Sequence, residues 1–249
     1  MPTPQLLPTN FDELVEQAVE VFWRSRLNNA VTTQGGSRGA VIGGKNMDGF
    51  LQLVEIIAEH VGLPRECVQH QGHNAVTLPG FFRATKKWDA LIFHEDRLVA
   101  ALEFKSQIGS LGNNQNNRSE EAIGNAVDFL RAHEESGFQN ENLFEGDPRP
   151  PFLGYLMLCE DSGDARSGVR VIESNFDVFD EFKDASYADR YKILCERLMR
   201  ENLYDAASLI LTPKDQGVTG EWGQMSQPTG VRNFYSSLSA HLLNVVSRD

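Results

Sequence analysis

Apolar positions recur first at helical spacing. In TNFDELVEQAVEVFWRSRL, Phe11, Leu14, Val15, Ala18, Val19 and Phe22 fall on one face. Thr9 or Asn10 caps that helix, with Asp12 or Glu13 three residues on as a capping box. Residues 32–46, TTQGGSRGAVIGGKN, hold five glycines and read as a loop. A second helix follows in MDGFLQLVEIIAEHV, with Met47, Phe50, Leu51, Val54, Ala58 and Val61 inward. Asp48, Glu55 and Glu59 share its polar flank.

The pattern then changes to strand. WDALIFH and RLVAALEFKSQ flank Glu95 and Asp96, which predicts a hairpin. Leu98 to Leu102 is continuously apolar, as in a strand covered on both faces. GSLGNNQNNRS reads as a Gly/Asn loop, Ser119 to His133 as an amphipathic helix, and Gly154 to Cys159 as an apolar strand. A further helix is predicted over Tyr187 to Arg200, then a short apolar segment, Leu209 to Thr212, before Pro213. Helix, strands, helix, strand is the order of an α/β core with helices on both sides. No internal repeat or long linker divides the chain, so one domain is expected over residues 1–249: helix and loop to 46, a core over about 47–160, and helices and loops from 161.

Composition supports a globular chain: 249 residues, 41% hydrophobic, enough to close a core. Three cysteines (Cys67, Cys159, Cys195) do not make a disulfide scaffold and suit a reducing compartment. MPTPQLLPTNFDELVEQ has no basic, apolar signal-peptide pattern, and no run approaches the roughly 18 apolar residues of a membrane span. A soluble, cytoplasmic protein without membrane contact is expected. The formal charge of −12 argues against nucleic acid at first reading. The acids are unevenly placed, however. They crowd Asp177 to Asp189, whereas FFRATKKW (Phe81 to Trp88) and residues 24–45 hold none. Such asymmetry suits a cleft for an anion.

Within the predicted hairpin, Asp89 opens one strand while Glu103 and Lys105 lie on the other. Alternation places Glu103 and Lys105 on one side of the sheet and Phe104 on the other. Two converging carboxylates offer hard oxygen ligands to Mg²⁺, and a lysine beside them can position or deprotonate a water. Asp, then Glu-x-Lys, across a hairpin suits in-line hydrolysis of a phosphodiester. The triplet alone is a weak signal, because EFK recurs at Glu181 to Lys183 in an acid-rich stretch that reads as a solvated face. Gly39 to Lys45 spells most of a phosphate loop, but Asn46 stands where Ser or Thr is needed and no strand precedes it. Cys67, His70 and His73 lack a second ligand pair for zinc and read as ordinary side chains.

WDALIFHEDRLVAALEFKSQ followed by GNNQNNRSEEAIGNA closely resembles the XhoI-type restriction endonucleases, a branch of the PD-(D/E)xK nucleases. The likeness extends to GGKNMDGF, LPGFFRATKKWD, FLGYLMLCED, ASYADRYKILCERL and LYDAAS, from about Arg38 to Ser208. Trp88 stands where the superfamily's name has proline. The resemblance implies a restriction-endonuclease-like core, a mixed central sheet flanked by helices on both faces. It implies Mg²⁺-dependent cleavage of double-stranded DNA at 5′-CTCGAG, leaving 5′-phosphate ends with a 5′ overhang. By position, Asp89 and Glu103 become metal ligands and Lys105 the water-positioning base. A third acid from the preceding helix is then Asp48 or Glu55, against a solvated helix face for either. A companion DNA methyltransferase is implied in the same way.

Residues suited to DNA contact follow from side-chain chemistry. Asn113, Asn114, Asn116, Asn117 and Arg118 can read bases, although Asn-rich stretches are more often turns. Arg83, Lys86 and Lys87 suit phosphates, and Arg38 and Lys45 suit an arm on DNA or equally a plain loop. A palindromic site asks for a homodimer. The rivals are a structure-specific repair nuclease of the same fold, a catalytically silent DNA-binding module, and an acidic protein-interaction domain.

Overall fold

A computed structural model describes residues 5–32, 46–72, 74–135, 138, 150–173 and 175–247. The chain opens with helix α1 (Phe11–Thr32) and helix α2 (Asp48–His60). A short edge strand, β1 (Val68–Gln69), leads to a small hairpin of β2 (Thr77–Pro79) and β3 (Thr85–Lys87). The main hairpin follows as β4 (Ala90–His94) and β5 (Arg97–Gln107). Glu95 and Asp96 join them with φ of 48° and 62°. Two successive positive values are what a two-residue hairpin turn needs to match the strand twist.

Helix α3 (Leu111–Glu134) and strand β6 (Phe152–Glu160) come next, then the single turn α4 (Gly163–Arg166). Helix α5 (Tyr187–Arg200), strand β7 (Ala206–Thr212), the turn α6 (Lys214–Gly217) and helix α7 (Val231–Val246) complete the order. The central sheet runs β1-β4-β5-β6-β7. Its β1, β4 and β5 pair antiparallel, and β5, β6 and β7 pair parallel. Parallel pairing of β5 with β6 requires a crossover, which α3 spans. The expected mixed sheet with helices on both faces is what the chain forms.

Alternation sorts each strand between two cores. Ala90, Ile92, Leu102, Phe104, Leu156, Leu158 and Ile210 face α1, α2 and α7. Leu91, Ala101, Tyr155, Met157, Leu209 and Leu211 face α3 and α5. Glu103 and Lys105 have the parity of Ala101, so they lie on the α3 side, with Phe104 opposite, as period two predicts. Helix α7 belongs to the first core. Its Phe234, Tyr235, Leu238 and Leu242 are buried, and the Tyr235 hydroxyl donates to the Phe50 carbonyl at 3.0 Å.

One sequence expectation is corrected. Residues 111–118, read as a Gly/Asn loop, are the first two turns of α3. Leu111 and Gln115, one helical turn apart, are both buried. A Cβ on Gly112 would lie 2.7 Å from the Tyr187 hydroxyl, so glycine permits α5 to approach there. Burial along this face overrides the low helix propensity of Asn and Gly. Arg38, Lys45 and His73 lie outside the described residues. Among the described residues no helix is long and apolar enough to cross a membrane.

Candidate active site

The antiparallel ladder builds the site. Ala90 is registered with Leu102, which sets Asp89 opposite Glu103. The Asp89 amide donates to the Leu102 carbonyl at 3.1 Å, and the Phe104 amide donates to Asp89 Oδ2 at 2.7 Å. Glu103 is only 1% exposed, and Tyr155, fully buried, is its register partner on β6. A carboxylate so placed needs compensating charge. Lys86 Nζ lies 2.6 Å from Glu103 Oε2, and Lys105 Nζ pairs with Oε1.

These neighbours set the electrostatics. Burial pushes the Asp89 carboxyl up to about 6, and the charge of Glu103 adds to it, against the pull of Lys105, the Phe104 amide and Lys86. Burial acts the same way on Glu103, but Lys105 and Lys86 outweigh it and hold that carboxyl below its ordinary value. Burial would lower the Lys105 ammonium, yet Glu103 and Asp89 keep it above the usual lysine range. Two opposed carboxylates offer hard oxygen donors of the kind a divalent ion takes, with a lysine on each oxygen of Glu103.

The β2–β3 hairpin is anchored beside this cluster at two points. Near its base, Lys86 grips Glu103, donates to the Lys87 carbonyl at 2.9 Å and stands 4.6 Å above the Trp88 ring. At its tip, Asp128 of α3 is buried and accepts from the Phe81 and Phe82 amides at 2.9 and 2.7 Å and from Arg83 Nε at 2.8 Å. Arg83 also donates to Asn125 Oδ1 at 2.8 Å. These bonds hold the Asp128 carboxyl below its ordinary value, against the opposing pull of burial.

The predicted site residues therefore divide. Asp89, Glu103 and Lys105 come together. Lys86, expected on a DNA phosphate, is instead turned in upon Glu103, while Lys87 points out to solvent. A cue existed: Trp88 is buried, and alternation puts Lys86 on the same side of the strand. Asn113, Asn116 and Asn117 are exposed on the opening turns of α3, where Asn114 Nδ2 donates to the Ser110 carbonyl at 3.0 Å and Arg118 pairs with Glu121 at 2.7 Å. Glu55 is bound to His70 at 2.7 Å and lies 3.4 Å from Arg65. Among the described residues no group of three or more His, Cys, Asp or Glu that could hold a metal ion gathers. In the second EFK, Glu181 pairs with Arg197, and Lys183 with Asp180 at 2.9 Å, on an exposed turn.

Residues 27–224 match the family described as "Restriction endonuclease XhoI". The chain belongs to that family. It is 43% identical over 208 residues to the type II restriction enzyme XhoI of Xanthomonas vasicola, covering 82% of this chain and 81% of that one. It is 41% identical over 215 residues to the type II restriction enzyme BstVI of Geobacillus stearothermophilus, covering 83% and 91%. Over 119 residues it is 53% identical to the type II restriction enzyme AbrI of Azospirillum brasilense, covering 47% and 50%. No solved structure matches the chain. The matched residues of the family run from the end of α1 through the hairpin that carries Asp89 and Glu103, and on past β7.

Proposed function

We propose that this member of the XhoI restriction endonuclease family is a type II restriction endonuclease that hydrolyses both strands of double-stranded DNA at a palindromic site. The site inherited from the family resemblance is 5′-CTCGAG, cut to leave 5′-phosphate ends with a 5′ overhang. The observation that carries the reading is the placement of Asp89 across the ladder from Glu103, with Lys105 on the same carboxylate.

Asp89 and Glu103 would hold Mg²⁺. Held there, the ion would supply charge against the developing negative phosphate and would lower the pKa of a water. Glu103, kept ionised by its lysines, is a ligand at neutral pH. Asp89 is oriented by the Phe104 amide, which leaves its second oxygen to the site. Lys105, partly exposed beside these acids, positions the attacking water and stabilises the phosphate charge. Two subunits related by a two-fold axis, each cutting one strand, suit a palindrome. Lys87, Asn113, Asn116 and Asn117, all exposed, would serve as DNA contacts. A methyltransferase of the same specificity protects host DNA, with no stable complex required.

The test is a digest of long, unmethylated DNA of known sequence by the purified chain, with Mg²⁺ and with EDTA. Discrete Mg²⁺-dependent fragments ending at CTCGAG support the reaction, the metal and the recognition site together. Discrete fragments at another sequence keep the enzyme class and discard the inherited site. Bound but uncut DNA moves the protein to a silent binding module.

A further inference from the structure

Lys86 and Lys105 occupy the two oxygens of a single carboxylate, although one ammonium suffices to neutralise it. What else each lysine touches separates them. An ammonium has three N–H donors. Lys86 directs its own at Glu103 Oε2 (2.6 Å), at the Lys87 carbonyl (2.9 Å) and toward the Trp88 ring face (4.6 Å to the centroid). Its side chain is 10% exposed, against 23% for Lys105. Lys86 is thus fully committed inside the protein, and Lys105 is the lysine with access to a substrate. The anchoring is deliberate in the fold: Trp88 packs edge-on against Phe129 of α3, with centroids 5.2 Å apart, and so fixes the surface on which the Lys86 ammonium rests.

We infer that Lys86 is a positioning residue of the active site: it supplies the fixed countercharge and hydrogen bond that hold Glu103, and so releases Lys105 to serve the attacking water. The inference rests on the nuclease reading above and adds a fourth member to its machinery. It also carries a consequence of opposite sign. A cation held on Glu103 repels a metal ion bound by the same carboxylate. Lys86 therefore weakens metal binding while it speeds turnover. A group that merely propped up Glu103 would aid both.

The experiment compares the full chain with its Lys86→Met, Lys86→Gln and Lys86→Arg variants in three measurements: thermal melting, Mg²⁺-supported plasmid cleavage, and Ca²⁺ affinity by calorimetry. Loss of one charge-assisted hydrogen bond predicts cleavage slower by roughly 10- to 100-fold in Lys86→Met. Ca²⁺ is expected to bind that variant several-fold more tightly, and Lys86→Arg recovers most of the lost rate. Lys86→Gln keeps a donor without the charge and tightens Ca²⁺ in the same way, so it decides the matter if Lys86→Met does not melt as a folded protein. Undiminished cleavage by the uncharged variants overturns the inference, as does slower cleavage accompanied by weaker Ca²⁺ binding. Absence of cleavage by the unmodified chain itself overturns the nuclease reading first, and this inference with it.

Discussion

Asp89 and Glu103 face each other across the β4–β5 ladder, and the amide that follows Glu103 in the chain, that of Phe104, donates to Asp89 Oδ2 at 2.7 Å. The same two-strand unit thus sets the spacing of the two acids and orients one of them. Glu103 is buried within β5, and Asp89 is tied to that strand through its own amide and its carboxylate.

Lys105→Ala removes the lysine proposed to serve the water and leaves the two acids in place. Cleavage is expected to fall by about 10²–10³-fold, the ordinary range for loss of one charge-stabilising donor at the reacting centre. Specific DNA binding, measured by gel retardation in Ca²⁺, stays within a few-fold of the unmodified chain. Cutting at the normal rate would remove Lys105 from the mechanism.

Asp89→Asn separates chemistry from stability. The Asp89 carboxyl is raised to about 6 in the folded chain from an ordinary value of 3.8, so the folded state binds its proton more tightly than the unfolded state does. The resulting stability is fully present below about pH 4 and is lost as pH rises through about 6. Asn carries no such charge. In metal-free buffer at pH 7 the variant should be more stable by about 1–3 kcal/mol, with the gain shrinking toward pH 4. Its cleavage should be abolished. Melting curves at both pH values check the sign.

Asp128→Ala tests the anchor of the β2–β3 turn. The substitution leaves two amides and the Arg83 guanidinium without their shared acceptor. A loss of about 2–4 kcal/mol in unfolding free energy is expected by urea titration at pH 7. Because the Asp128 carboxyl is held below its ordinary value, its contribution is present above about pH 4 and disappears as pH falls through the depressed folded value. The gap between the two proteins should therefore narrow in acid. A constant gap at all pH values would mean the carboxylate's charge plays no part.

Gly154→Ala probes the packing beneath the site. A Cβ there would lie 2.6 Å from Leu102 Cδ2 and 3.0 Å from the Phe234 ring, both in the core shared with α7. Overpacking of this kind costs about 1–3 kcal/mol. Chemical denaturation reads the loss, and cleavage well below the melting temperature should survive, because Leu102 points away from the face that holds Glu103.

Much of the architecture was legible along the chain because it depends on local periodicity. Period two over residues 98–107 places Glu103 and Lys105 on one face and Phe104 on the other. Glu95 and Asp96, polar residues between two apolar runs, mark the turn. Helix α5 spans the predicted Tyr187–Arg200 because its apolar spacing is regular and Ser186 with Asp189 closes a capping box at its start.

Other features depended on partners distant in sequence. The Asn-rich run 113–118 has the composition of a turn, yet it is helical because Leu111 and Gln115 are buried and Gly112 admits Tyr187, 75 residues away. Lys86 has the composition of a surface cation, yet it faces inward because Trp88 is buried against α3 and the fold sets Glu103 within 2.6 Å of its ammonium. Sequence by itself determined which residue types could do the chemistry and which strand faces they occupy, since alternation is a property of the backbone. Tertiary structure alone decided which charges meet. A buried carboxylate takes whichever cation the packing delivers, and that depends on the whole fold.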